Sequence, residues 1–297
     1  MSGILKEAYK SCELCGRHCK VNRCEKNGFC GSGTEICAAK AMLHYWEEPA
    51  VTEGKGPSGA VFFSSCNLKC IYCQNYKISH ESFGKEISAA ELAAVFLNLK
   101  EKGAVNIDLV TPSHFLPGIT EAIDIIGKEK LGIPVVYNCG GYENPQIIKE
   151  IRNYVDIWLP DLKYYDDEVS VKYSGAPHYF ETACSSLKEM ISQGKKVIVR
   201  HMVLPGQRED SVRLLNALYE RFGTESFLIS LMSQYTPFYK ACEHKEINRR
   251  VTTFEYERVL NEAVKLGFKG YMQERTSAKE EYTPVFDLDG LPPFKEI

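Results

Sequence analysis

Hydrophobic positions along the chain follow two periods that alternate. Six short runs are mostly apolar: GAVFFSS (59–65), NIDLVT (106–111), PVVYNC (134–139), VDIWLPDLK (155–163), KVIVRHMVL (196–204) and SFLISLM (226–232). Their length and their Val, Ile, Leu and Phe content suit strands covered on both faces. Between them the period lengthens to that of a helix. Ser88 and Glu91 form a capping box ahead of Leu92, Val95, Phe96 and Leu99, and Gly103 ends that segment. Ile119 to Lys128 reads as a second helix, and Asn144-Pro145 opens a third with a cap and a proline at the first helical position. Further helices are predicted over about 178–193, 210–222 and 253–266, the last two stopped by Gly223 and Gly267, and FKGYMQE (268–274) reads as a short extra strand.

Six strand-then-helix units predict an α/β fold with a parallel sheet and helices outside it. The choice lies between a doubly wound open sheet and a barrel. No G-x-G-x-x-G follows the first strand, so the dinucleotide-binding version loses support. Each conspicuous polar cluster instead follows a strand: the cysteines, TPSH, NCGGYE, DLKYYDD, RHMVLPG and SQYTP. Barrels build their sites from loops at those strand ends. The expectation is a partial (β/α)6 TIM-like barrel over residues 51–297, preceded by a cysteine-rich segment over residues 1–50.

Composition adds bounds. The 297 residues are 44% hydrophobic and 25% charged with a net charge of −3, so no global positive field argues for nucleic acid. No apolar run approaches the roughly 20 residues of a membrane span. The start, MSGILKEAYKSC, lacks the apolar core of a secretory signal, so a soluble cytoplasmic protein is expected. Cysteine usage changes the picture. Nine of twelve cysteines fall within the first 73 residues, and in such a chain metal ligation is a better reading than disulfides. Cys139, Cys184 and Cys242 are scattered and read as small hydrophobes.

The densest cluster is SSCNLKCIYCQN, where Cys66, Cys70 and Cys73 are spaced C-x3-C-x2-C at a strand end. Thiolates select zinc, copper(I) or iron–sulfur clusters. A structural zinc site takes four ligands, whereas the motif supplies three and no histidine follows at zinc-finger spacing. Three thiolates on a cubane cluster leave one iron open to a substrate or cofactor. A zinc site completed by a residue from elsewhere is the alternative.

This spacing, with Tyr72 before the third cysteine, resembles the signature of the radical S-adenosylmethionine (SAM) superfamily. The blocks HYWEEP (44–49), SSCNLKCIYCQNYKIS (64–79), NIDLVTPSH (106–114), YNCGGYE (137–143), LPDLKY (159–164) and RHMVLPG (200–206) are similar to its pyruvate formate-lyase activating enzyme-like branch. Within that branch they resemble a poorly characterised subgroup, over residues 12–275 or so. The resemblance implies a 4Fe-4S cluster on the three cysteines and SAM chelating the fourth iron. It further implies reductive cleavage to a 5′-deoxyadenosyl radical, hydrogen abstraction from a protein or small-molecule substrate such as a glycyl-radical enzyme, and a low-potential flavodoxin or ferredoxin as reductant.

It also implies cofactor contacts at Tyr72, Asn75, Asn138, Asp161, Lys163 and Arg200. Residue chemistry supports some of these: Asp161 and Lys163, two apart on a strand, share a face, and two such charges need a ligand or each other. Alternation puts only one of Arg200 and His201 inside, and Arg200 is the expected one. Two departures stand out. TPSH (111–114) replaces a Gly-Gly-Glu run of relatives, leaving Ser113 or His114 as substitutes, and the sixth strand offers Ser233 and Gln234 in place of a histidine.

Cys12, Cys15, Cys19 and Cys30 form a second set, C-x2-C-x3-C-x10-C, with Cys24 inside and Cys37 beyond. Four thiolates suffice for a closed site, either zinc or a second cluster. His44, Glu47 and Glu48 form a polar knot before Pro49 that leads into the first strand, and it reads either as a solvated loop or as a segment reaching over the barrel mouth toward substrate. The contrasting reading of the whole chain is a non-catalytic zinc or iron–sulfur protein for partner binding or electron transfer.

Overall fold

Residues 3–272 and 284–293 are described in a computed structural model of the protein. The chain starts with a short helix, α1 (Gly3–Glu7), then loops to β1 (Ile36–His44), the one-turn helix α2 (Pro49–Thr52) and β2 (Ser58–Phe63). After the cysteine loop come α3 (Tyr76–Ser79), the edge strand β3 (Lys85–Ile87) and α4 (Ala89–Glu101). The next units are β4 (Ile107–Val110) with α5 (Leu116–Ile126) and α6 (Lys128–Leu131), then β5 (Val135–Cys139) with α7 (Pro145–Glu150). They are followed by β6 (Ile157–Pro160) with α8 (Asp167–Ser174) and α9 (Tyr179–Ser192), and by β7 (Lys196–Met202) with α10 (Arg208–Phe222). The last are β8 (Leu228–Met232) with α11 (Thr253–Leu266) and β9 (Gly270–Met272).

All lie in one sheet of order β3-β1-β2-β4-β5-β6-β7-β8-β9. From β2 to β9 neighbouring strands run parallel, while β1 pairs antiparallel with both β2 and β3. The six expected strands and the short seventh are therefore present, as a parallel-rich sheet with no ladder joining its two ends among the described residues. The two antiparallel strands are additional. β1, ICAAKAMLH, lies within residues 1–50 and carries three alanines and a lysine in place of the β-branched residues that mark a strand. Its Lys40 is buried because Nζ donates to Val285 O (2.9 Å) and pairs with Asp287 (2.8 Å) in the C-terminal segment that returns along this edge.

Local signals position the helices as expected. The Ser88–Glu91 box caps α4, Asn144 caps α7 ahead of Pro145, and a second box, Thr252 with Glu255, caps α11. Gly127 ends α5 before Lys128, and α8 is a helix that the hydrophobic pattern missed, because its sequence DEVSVKYS is mostly polar. Among the described residues no helix is long and apolar enough to cross a membrane.

The two faces of the sheet bury different things. Val61, Phe63, Ile107 and Leu109 point outward onto α4 and α5 through Leu92, Phe96 and Ile119. Tyr137, Trp158, Val197 and Ile229 point outward into the larger cluster beneath α7, α9, α10 and α11. On the concave inner face, Val136, Ile157, Leu159 and Ile198 are covered by Ala50 and Val51 of α2, which closes one end. Above that layer the inner face turns polar.

Gly141 sets the turn after β5. Its φ is +77°, and a Cβ there would stand 2.1 Å from the carbonyl oxygen of Asp161. Gly141→Ala is expected to cost about 2–4 kcal/mol from strain plus overlap. Thermal unfolding should show a Tm lower by roughly 5–10 °C, and an unchanged Tm would contradict this account of the turn.

Candidate active site

Strand β2 ends at Phe63, and the chain turns at Ser65 (φ +70°) into the loop that carries the three cysteines. The loop is held from both sides. Ser65 N donates to Ile78 O (2.7 Å), while Lys69 N and Ile71 N donate to Ser174 O (3.1 Å) and Tyr173 O (2.9 Å) at the end of α8. Each sulfur has a donor of its own: Leu68 N to Cys66 (3.4 Å), Ser174 Oγ to Cys70 (2.9 Å) and Ser79 Oγ to Cys73 (3.3 Å). Burial pushes the Cys66 and Cys73 thiols up, to about 12 and about 11, so a bound metal is what would hold them as thiolates. Among the described residues no three Cys, His, Asp or Glu side chains converge closely enough to hold a single ion. Three free thiols thus stand in one loop, each met by an N–H or O–H donor.

Beside this loop opens a cavity of about 510 Å³ on the polar part of the inner face, a volume typical of small-molecule sites. Register explains its walls: Ala60 sits opposite Asp108, Val110 opposite Asn138, and Arg200 opposite Ser230. Asn75, Asn138, Arg200 and Gln234 line the cavity. The Asn75 Oδ1 atom is buried and accepts no hydrogen bond.

A charge network joins the middle strands. Strand β6 ends at Pro160, so Asp161 makes an isolated bridge to Arg200 and Lys163 follows in the loop. Arg200 Nε donates to Asp161 Oδ1 (2.8 Å), Arg200 Nη2 donates to Asn138 Oδ1 (2.5 Å) and Lys163 Nζ to Asp161 Oδ2 (2.6 Å). Burial alone would raise the Asp161 carboxyl, but Arg200 and Lys163 together outweigh it and hold the group below its ordinary value. Four expected site residues thus meet in one network.

Other expected residues stand elsewhere. The Tyr72 hydroxyl bonds that of Tyr164 (2.5 Å) and its ring meets Tyr235 edge-on, away from the cavity lining. Ser113 donates to Glu143 Oε1 (2.8 Å), and His114 Nε2 bonds Ser64 O (2.6 Å). Both are buried outside the cavity lining. Glu143 also accepts from Tyr137 (3.1 Å), and burial raises its carboxyl to about 7. His44, Glu47 and Glu48 of the polar knot line the cavity. Asp108, in the middle of an apolar strand, lines it too and was not singled out from the sequence. A lone aspartate at an inward strand position was the available signal.

Alternation puts Arg200 inward and His201 outward. His201 is buried, with Nδ1 against Leu162 O (2.6 Å) and Nε2 against Ser211 Oγ (2.8 Å), and burial lowers its pKa to about 4. An unfolded chain takes up this proton near the ordinary value of about 6.5. Between those values the unfolded state binds more protons, so stability falls as pH drops from about 6.5 to about 4, by about 3 kcal/mol in all. Urea unfolding of wild type and His201→Gln should show their difference shrinking across that window. Parallel pH profiles would refute the assignment.

The N-terminal segment covers the cysteine loop from outside. Cys15 bridges Glu143, and Gly16 N donates to Tyr142 O (3.0 Å). Arg17 Nε donates to Asn67 O (2.8 Å), while Lys69 Nζ donates to Cys30 O (3.2 Å). Buried Arg23 binds Ser32 O (3.2 Å), His114 O (2.6 Å) and Gly33 O, with the Cys12 sulfur 4.0 Å away. Cys12, Cys15 and Cys30 are buried and Cys19 is partly so.

A half-open parallel α/β sheet with three cysteines beyond its first parallel strand and a polar cavity beside them defines a class of cluster-bearing enzyme folds. Residues 60–218 match the Radical SAM superfamily, and the chain belongs to that family. It is 30% identical over 271 residues to an uncharacterized protein of Methanocaldococcus jannaschii, covering 88% of this chain and 77% of that one. A pyruvate formate-lyase-activating enzyme of Clostridium pasteurianum is 29% identical over 181 residues, 55% of this chain and 68% of the relative. Among solved structures, Streptococcus suis SuiB bound to precursor peptide SuiA matches with a TM-score of 0.52 at 14% identity. That likeness of fold covers 70% of this chain and slightly under half, 46%, of SuiB. The family implies a 4Fe-4S cluster and SAM.

Proposed function

We propose that the protein cleaves SAM reductively at a 4Fe-4S cluster on Cys66, Cys70 and Cys73 and uses the resulting 5′-deoxyadenosyl radical to abstract hydrogen from a substrate. The observation that carries this reading is that the loop of three thiols runs directly into Gln74 and Asn75, which line a cavity together with Asn138 and Arg200. When bound, the cluster and SAM supply the electron and the radical. The chain's own residues bind and orient. Asn75 lines the cavity, Asn138 and Arg200 offer a polar wall, and Asp161 with Lys163 holds the Arg200 guanidinium in place. Gln234 lines the far wall. Ser113 and Tyr72 act from behind, through Glu143 and Tyr164. The low-identity activating-enzyme relatives favour a protein substrate such as a glycyl-radical enzyme. They also favour a flavodoxin or ferredoxin as reductant, and a cytoplasmic setting suits both. Cys12, Cys15, Cys19 and Cys30 are assigned a zinc or a second cluster that stiffens the covering segment.

The test uses anaerobically purified, reconstituted protein, with iron, sulfide and zinc counted before dithionite and SAM are added. About four irons and formation of 5′-deoxyadenosine are expected; about eight irons would assign the N-terminal thiols to a second cluster. A colourless, zinc-loaded protein that leaves SAM intact would overturn the reading in favour of a binding module.

A further inference from the structure

The cavity has a floor that the proposed cofactor contacts do not use. Glu47 and Glu48 enter from the segment before α2, and Asp108 projects from β4 one layer deeper than Asn138, since Asp108 pairs with Val136 while Val110 pairs with Asn138. Arg200 is the fixed cation among the described lining residues, with His44 the other basic side chain. Its guanidinium is already committed. Nε serves Asp161 and Nη2 serves Asn138, so only Nη1 faces Glu47, at 4.0 Å. Lys163 is likewise held by Asp161. Four carboxyl groups, Glu47, Glu48, Asp108 and Asp161, thus share two fixed cations.

Asp108 shows the shortfall. It is 1% exposed, its Oδ2 accepts from Asn138 (3.2 Å), and its Oδ1 has no hydrogen-bond donor. Burial first and the neighbouring Glu47 carboxylate second push its carboxyl well above the usual range. Burial likewise raises Glu48, against the pull of Arg200. Two buried carboxyls side by side must share a proton, and a cationic donor would let both ionise and would reach the Oδ1 atom that Asn138 leaves unserved. Among the described residues no three such groups come together as a site for a single metal ion. An organic cation brings several N–H groups, enough to serve more than one of these carboxyls. Phe62, Val110 and Met232 give the same cavity an apolar wall for the carbon chain such a cation would carry.

We infer that Glu47, Glu48 and Asp108 form the subsite for a cationic nitrogen of the substrate, a primary ammonium or a guanidinium, and select it over neutral or anionic groups. The inference rests on the proposed radical chemistry for its meaning, since the bound group would place a nearby substrate carbon within the cavity where hydrogen is removed.

The probes are 1-aminobutane and butylguanidine, with 1-butanol and butyrate as neutral and anionic counterparts. Each is titrated calorimetrically into reconstituted, SAM-saturated, full-length protein in two buffers of different ionisation enthalpy. Both cations should bind at least about tenfold more tightly than 1-butanol, butyrate should not bind, and each cation should release protons from the floor. Glu47→Gln and Asp108→Asn should each weaken cation binding about tenfold or more and reduce the proton release. Circular dichroism establishes folding, and Glu47→Gln alone serves if the Asp108 variant misfolds. An acetyl-lysine-amide that binds more tightly than 1-aminobutane would assign the cation to a polypeptide side chain, and equal binding would assign it to a small amine. Equal binding of 1-butanol, insensitivity to both substitutions, or cation binding that SAM abolishes would overturn the inference. Formation of 5′-deoxyadenosine by the same wild-type sample separates the two claims. SAM cleavage without cation preference defeats only the subsite, and cation binding without SAM cleavage defeats only the proposed reaction.

Discussion

Cys70→Ala is expected to abolish 5′-deoxyadenosine formation and to lower the iron bound after reconstitution by about the four atoms of one cluster. Cys70 is the middle thiol of the motif, buried, with its sulfur receiving the Ser174 hydroxyl at 2.9 Å from the end of α8. Alanine removes one of three thiolates and leaves the Ser174 donor facing a small void. The fold should survive, because the loop is held chiefly by backbone hydrogen bonds from Ser65, Lys69 and Ile71. A truncation of this size costs about 1 kcal/mol. Cys184→Ala is the matching control. Cys184 is equally buried but lies on α9 in the outer cluster, and its loss should leave iron content and product unchanged. Full activity in Cys70→Ala would move the cluster to the N-terminal cysteines and overturn the site.

Arg200→Ala is expected to destabilise the fold by about 3–5 kcal/mol, because removing one member of a buried ion network leaves its partners uncompensated. Arg200 is bonded to Asp161 and Asn138 and faces Glu47, and those carboxyls with Glu48 and Asp108 raise its own pKa despite the opposing effect of burial. Without it Lys163 alone remains against Asp161, and the Asp161 carboxyl should rise from its depressed value. SAM affinity, measured by equilibrium dialysis on reconstituted protein, should fall at least about tenfold. Urea unfolding gives the stability change. Arg200→Lys should recover part of the stability but little of the SAM affinity, since a lysine cannot reach Asp161 and Asn138 with a planar fork. Unchanged SAM affinity in Arg200→Ala would remove this network from the binding site.

Expression of residues 51–297 alone bears on the covering segment, because the sheet includes β1 and the cysteine loop is bonded to Arg17 and Cys30. Loss of β1 would expose the edge of β2 and uncover Phe63 and Val61. The shortened chain is expected to be insoluble or to unfold without cooperativity, as circular dichroism during heating would report.

The alternation of strands and helices, the capped helix starts at Ser88 and Asn144, and the three cysteines beyond the first parallel strand were all legible from residue order. Each is a local pattern: two periods of hydrophobicity, a side chain capping its own helix, ligands a few residues apart. Such patterns record which face is covered and which group is close along the chain. They do not record what stands opposite. Tertiary structure alone decided that an alanine-rich segment becomes β1, because its partners are β2, β3 and a C-terminal segment some 245 residues away. It also decided that Ser113 turns to Glu143 instead of the cavity, and that Asp161 meets Arg200 across 39 residues. The acidic floor arises the same way. Glu47 and Glu48 look like a solvated loop, and Asp108 like a blemish in a strand, until the sheet curls and brings all three against Arg200. Charges in a low-dielectric interior must be paired or protonated, and only the three-dimensional arrangement supplies the pairs.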